Sequence, residues 1–214
     1  ALLAAYEANR DDGSMSATAS AQRSLKNTVL SYLGLLDDCE LRNIIVAQHE
    51  AAANMTDELS ALSILANTEG DARDVALARF ADRWQSDSLV MNKWFATQAS
   101  ATIPGVREHV LALAKHPAFD PENPNKVRSL YGAFAGNPVH FHAPDGSGYA
   151  LLADEVLALN SFNPMVAGRL AIAFRKYKRL PADAQALMKR ELERIIASPD
   201  LSPDVFEIIS KTLA

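Results

Sequence analysis

From Asp183 to Ala197 the apolar residues Leu187, Met188, Leu192, Ile195 and Ile196 recur at steps of three and four, with Lys189, Arg190, Glu191, Glu193 and Arg194 between them. That spacing puts the apolar side chains on one face of an α-helix and the charges on the other. A similar pattern runs through Val75, Leu77, Ala78, Ala81 and Trp84, and through Val106, Val110, Leu111, Leu113 and Ala114. No segment shows the convincing period of two that a half-buried strand requires. Asn163-Pro164 and Ser202-Pro203 each set a side-chain acceptor ahead of a proline. This is the pattern of a helix start, because a proline in the first turn has no N–H left to satisfy.

Counting the periodic blocks gives roughly eleven or twelve helices, most of about 10 to 20 residues, joined by short connections. Such a string predicts an all-α fold, a superhelix of stacked helical hairpins of the armadillo or HEAT kind. No clean repeat period is present, so the expected solenoid is irregular. One stretch breaks the rhythm. Gly136 to Gly148 (GNPVHFHAPDGSG) is rich in turn formers and is the best candidate for a functional loop.

At 214 residues, 49% hydrophobic and 22% charged, the chain can bury a substantial core. Its net charge of -5 argues against nucleic acid and against an anionic membrane surface, both of which need clustered Lys and Arg. The one basic run, Arg175 to Arg179 (RKYKR), reads as a helix end, where cations complement the carbonyl pole. No segment reaches the roughly 20 apolar residues that span a bilayer. The first ten residues lack the pattern of a signal peptide. The single cysteine, Cys39, permits no internal disulfide and favours a reducing, cytoplasmic setting. The start at Ala1, on helix-like sequence and without Met, reads as that of a fragment.

Candidate chemistry is sparse. His49-Glu50-Ala51-Ala52-Ala53 opens like the zinc helix motif H-E-x-x-H, but Ala53 stands where the second ligand would be, so no zinc site is expected there. His140 and His142 flank Phe141 in the turn-rich stretch; spaced by two they could share a metal on an extended backbone, yet Asp145 is the only acid nearby. Acids on both sides of Cys39 disfavour its thiolate. There is no G-x-S-x-G elbow and no glycine-rich phosphate loop. From its residues alone the chain is an acidic, all-α interaction or scaffold domain.

A longer set of strings adds to this. Val127 to Asn137 (VRSLYGAFAGN) and Phe141 to Tyr149 (FHAPDGSGY) are followed by Leu159-Asn160-Ser161, Asn163-Pro164, Val166-Ala167 and Arg169. Upstream stand Lys93-Trp94-Phe95-Ala96, His116-Pro117-Ala118-Phe119 and Asn123-Pro124-Asn125, and the chain closes on Ser210 to Ala214 (SKTLA). Across essentially its whole length the sequence resembles the C-terminal domain of bacterial aminopeptidase N, from the M1 family of zinc peptidases. The resemblance implies that residues 1–214 form a single all-helical cap domain of a larger enzyme. Its partners would be the parent's catalytic and N-terminal domains and short peptide substrates. Zinc would belong to the parent's catalytic domain, and this chain would hold neither a catalytic residue nor a metal ligand. By motif match, Arg128 and Arg169 fall where the family projects arginines into the substrate cavity. Met165 falls where relatives place a Gln at the rim of the amino-terminal side-chain pocket, and its thioether leaves only an apolar contact there. The implied function is to enclose the cavity of an aminopeptidase and orient the peptide, without cleaving it alone. The alternative is a free-standing helical-repeat scaffold for a protein partner. A small metal enzyme built on His140 and His142 is a third reading.

Overall fold

The computed structural model describes residues 1–36 and 38–214. Among the described residues the chain is all-helical, with thirteen α-helical stretches, one π-helical turn and one 3-10 segment. They group into two compact units, residues 1–86 and 87–214.

The first unit holds α1 (Leu2–Ala8), α2 (Ala17–Leu33), α3 (Cys39–Ala51), α4 (Met55–Leu65) and α5 (Asp71–Trp84). Short polar side chains start three of them by taking otherwise orphaned N–H groups: Ser16 accepts from Ala19, Asp38 from Glu40 and Leu41, and Asn54 from Asp57. Leu30, Leu62, Leu65 and Phe80 lie fully buried at its centre. The α5 face differs from the one the sequence suggests. Arg73, Ala76, Leu77 and Phe80 point inward, while Val75 is 62% exposed. The bulk of Phe80 sets the inward direction, and residues 73, 76 and 77 share its side of the helix.

A charged cluster fastens this unit. Asp11, in the link between α1 and α2, meets Arg23 at 2.6 Å and Lys26 at 3.3 Å, and Lys26 reaches Asp57 of α4 at 2.8 Å. Asn27 and Asn54 also donate to the Asp57 carboxylate, at 2.8 and 3.0 Å. All four charged side chains are at most 9% exposed. Two cations thus neutralise two carboxylates away from water, and amides fill remaining acceptor sites, the condition under which buried charge is tolerated.

The second unit contains α6 (Ser88–Ala99), α7 (Val106–Leu113), α8 (Pro124–Val127), the π turn Arg128–Gly132, α9 (Ala133–Ala135), α10 (Ser147–Asn160), α11 (Pro164–Ala171), the 3-10 segment Ile172–Arg179, α12 (Ala182–Ile196) and α13 (Pro203–Leu213). Trp94, Phe95, His116, Phe119 and Tyr131 form a run of ring contacts with centroids 5.1 to 5.9 Å apart. Phe141 belongs to a second aromatic group with Phe134, Tyr149 and Phe174. On α12, Met188, Leu192 and Ile195 are buried as the periodicity implies, but so is Glu191, held by Arg194 at 2.7 Å and Arg190 at 3.3 Å. Ser202 caps α13 through the Val205 N–H. Asn163 precedes Pro164 at the start of α11, yet its amide donates to the Glu122 carbonyl at 3.2 Å and ties two loops instead. The basic run ends the 3-10 segment, with Phe174 and Tyr177 buried three residues apart and the cations outside.

Candidate functional site

The turn-rich loop packs into the core of its unit. Phe141 is 2% exposed and fills the core. Gly148 lies so close beneath it that a Cβ there would meet the backbone of His140 and Phe141. His142 Nδ1 and the Tyr149 hydroxyl share a 2.7 Å hydrogen bond. Burial pushes the His142 imidazole below its ordinary value and the Tyr149 phenol above its own. The His140 Nε2 atom is buried with no hydrogen-bond partner among the described residues. Among the described residues no group of three or more His, Cys, Asp or Glu could hold a metal ion. His49 is 3% exposed, with Nδ1 3.4 Å from the Glu58 carbonyl, and α3 ends at Ala51, before position 53 is reached.

The cavity of interest lies beside the π turn. Asn123 starts α8 by accepting from the Asn125 N–H, with Pro124 in the first turn. The helix widens at Arg128–Gly132, a local change that commonly re-aims side chains at functional sites. Gly132 leaves room for the turn: a Cβ there would stand 3.2 Å from Arg128 Cγ. The inner face is pinned at several points. Lys126 is buried, its ammonium 3.3 Å from the Ser88 carbonyl and 5.4 Å from the Phe95 ring centroid. Burial lowers the Lys126 pKa against the opposing pull of Asp120. Burial, then the charge and hydrogen bond of Glu155, push the Tyr131 phenol far above its ordinary value, and burial raises Glu155 itself. Beyond α9, Asn137 donates to the carbonyls of Ala99 and Ala101 at 3.1 and 2.7 Å. With Val127, Leu130 and Tyr131 held inside, Arg128 is left facing outward.

Helix α11 supplies the opposite wall. Val166, Ala167, Leu170 and Ala171 are buried, so Met165, Arg169 and the following Ile172 share the exposed face. Gly168 brings this helix close to α13: its Cβ would lie 3.4 Å from Asp204 Cβ and Ile208 Cδ1. Between the two walls is a cavity of about 280 Å³, lined by Arg128 and Arg169 together with Val127, Val166, Leu170 and Ile172, and by no acidic residue. Among the described residues neither guanidinium has an ion-pair or hydrogen-bond partner. The structure thus brings Arg128 and Arg169 to one cavity. Met165 is not among its walls; it borders a neighbouring depression of about 300 Å³ that shares Arg169 and includes Asp204 and Glu207. The π turn, Gly132 and Ile172 are parts of this site that periodicity did not expose.

Two arginines with no partner among the described residues thus meet on a mainly apolar cavity of an all-helical domain. The chain belongs to the family described as Domain of unknown function (DUF3458_C) ARM repeats, which matches residues 1–214. It is 44% identical over 195 residues to Aminopeptidase N of Haemophilus influenzae, covering 90% of this chain and 22% of that protein. It is 41% identical over 216 residues to Aminopeptidase N of Escherichia coli, covering 100% and 25%, and 40% identical over 201 residues to that of Caulobacter vibrioides, covering 94% and 23%. The crystal structure of Legionella pneumophila aminopeptidase A in complex with aspartic acid matches with a TM-score of 0.92 at 32% identity, over 99% of this chain and 26% of that one. The chain therefore spans about a quarter of the length of these relatives.

Proposed function

We propose that this chain is the C-terminal cap of a zinc aminopeptidase of the M1 family. It works together with the parent's catalytic and N-terminal domains, enclosing the cavity and orienting short peptides whose N-terminal residue is removed elsewhere in the parent. The observation that carries this reading is the pair Arg128 and Arg169, unpaired among the described residues and lining one acid-free cavity. A guanidinium presents a planar fork of donors, which suits a peptide carboxylate or successive backbone carbonyls. Holding the far end of a peptide fixes the scissile bond without touching it, and such positioning lowers the barrier by removing freedom before reaction. Met165, 54% exposed, offers an apolar contact at the neighbouring depression.

Zinc would supply the polarised carbonyl and activated water in the parent. The residues here do not fit that ion: His49 is buried against a carbonyl and the His140–His142 loop serves packing. No chemical step is assigned to this chain. A reducing cytoplasmic setting suits Cys39, an exposed free thiol. No helix among the described residues is long and apolar enough to cross a membrane. The direct test is hydrolysis of an alanyl arylamide by the purified chain with added zinc, beside the whole parent. The reading expects turnover by the parent and none by the chain; zinc-dependent turnover by the chain alone would overturn it.

A further inference from the structure

The π turn has a second side. Beyond Arg128 lies a groove of about 710 Å³ between α6 and the helix Pro124–Ala135, sharing Asn125, Arg128 and Gly132 with the arginine cavity. One wall presents Leu89, Asn92, Lys93 and Ala96, the stripe of α6 left outside when Met91, Trp94, Phe95 and Gln98 turn inward. Lys93 is exposed and, among the described residues, makes no ion pair. The Asn92 side-chain oxygen is buried with no hydrogen-bond donor among the described residues, an acceptor that a polar ligand could complete. No acid lines either recess, although the chain as a whole carries 26 acids against 21 Lys and Arg. Lys93 and Arg128 therefore line one acid-free groove, and Arg128 also lines the acid-free cavity of Arg169, which borders Asp204 and Glu207 only on its other side. A lysine ammonium is a mobile point charge suited to a carboxylate whose position varies with peptide length, whereas the arginines demand a fixed geometry.

We propose that Lys93 is a substrate-positioning residue, and that the groove it shares with Arg128 is an outer subsite for a peptide carboxylate. Peptides too long to end at the arginine cavity would lay their distal residues along Leu89 and Ala96. Their C-terminal carboxylate, or an acidic side chain near it, would meet Lys93. This rests on the reading of Arg128 given above.

The test uses the full-length parent enzyme and tetrapeptides of alanine, compared as free acid and C-terminal amide, together with an amide pair bearing Glu or Gln at the fourth residue. Lys93→Gln should raise KM for the acid over that for the amide by about threefold, the size of a partly solvated ion pair, with kcat changed less than KM. Lys93→Arg should restore most of the preference, and Lys115→Gln, which removes an exposed charge on another segment, should leave it intact. An effect confined to the Glu and Gln pair would support the subsite and make its ligand an acidic side chain. If Lys93→Gln leaves both comparisons unchanged while Arg128→Ala shifts them, the outer subsite is wrong and the arginine cavity stands. If neither variant shifts them, both readings fall.

Discussion

Replacing Lys26 by Met isolates what the buried cluster does for residues 1–86. The Lys26 ammonium lies 2.8 Å from Asp57 and 3.3 Å from Asp11, in side chains that are 3 to 9% exposed, so solvent screens these contacts weakly. Its removal leaves two carboxylates with one cation, Arg23, which reaches the Asp11 carboxylate and the Ser14 carbonyl. Stranding a buried charge by deleting its partner costs about 3 to 5 kcal/mol. Because Asp57 keeps the donors Asn27 and Asn54, and Asp11 keeps Arg23, the lower end applies, about 3 kcal/mol. Hydrogen exchange reads this by region: protection of the α2 and α4 amides should fall about a hundredfold, while residues 87–214 change far less. The double variant Lys26→Met with Asp57→Asn restores neutrality and should recover about half of the loss, which a double-mutant cycle measures. A fall of less than fivefold in the single variant would mean that water reaches the cluster, and the account of this unit would be refuted.

Two further predictions follow from particular contacts. A methyl on Gly148 would sit 2.5 Å from the Phe141 carbonyl oxygen and 2.7 Å from its Cα, so Gly148→Ala should destabilise residues 87–214 by about 3 kcal/mol, seen as a lower thermal midpoint. An unchanged midpoint would place the loop away from the core. Burial alone would raise the Asp11 carboxyl, but the Gly13 N–H, Arg23 and Lys26 together hold it below the usual range. Folding thus favours its charged form, so its contribution is complete above the unfolded value of about 4 and is lost as pH falls through the depressed one. Urea unfolding followed between about pH 5 and pH 2 should show residues 1–86 weakening over that lower window, with Arg23→Gln moving the loss upward towards pH 4.

Much of this architecture is readable from the chain alone. The apolar positions of α12 and the capped start at Ser202-Pro203 follow from local chemistry, which is where periodicity and capping act. What periodicity missed was decided by tertiary partners. Glu191 looks solvated by pattern but is drawn inside by Arg190 and Arg194. Val75 looks like core but is displaced by Phe80, and Asn163 forgoes capping for a carbonyl across the loop. The pairing of Arg128 with Arg169 came from matching long strings of sequence, because 41 positions separate them and no spacing rule links them. Lys93 stood within one of those strings, yet its outward direction depends on Trp94 and Phe95 packing beneath it. The π turn had no legible sign beyond Gly132, where a Cβ would stand 3.2 Å from Arg128 Cγ.

The central claim is that the arginine cavity holds the far end of a peptide. Steady-state kinetics of the full-length parent carrying Arg128→Ala, Arg169→Ala or both would test it, using alanyl arylamide against tri-alanine. Losing a charged hydrogen bond to a peptide carboxylate is worth about 1.5 to 3 kcal/mol, so each single variant should lower kcat/KM for tri-alanine by about tenfold or more. Arylamide, which has no carboxylate to hold, should lose much less. Equal losses on both substrates, or none on tri-alanine, would contradict the account.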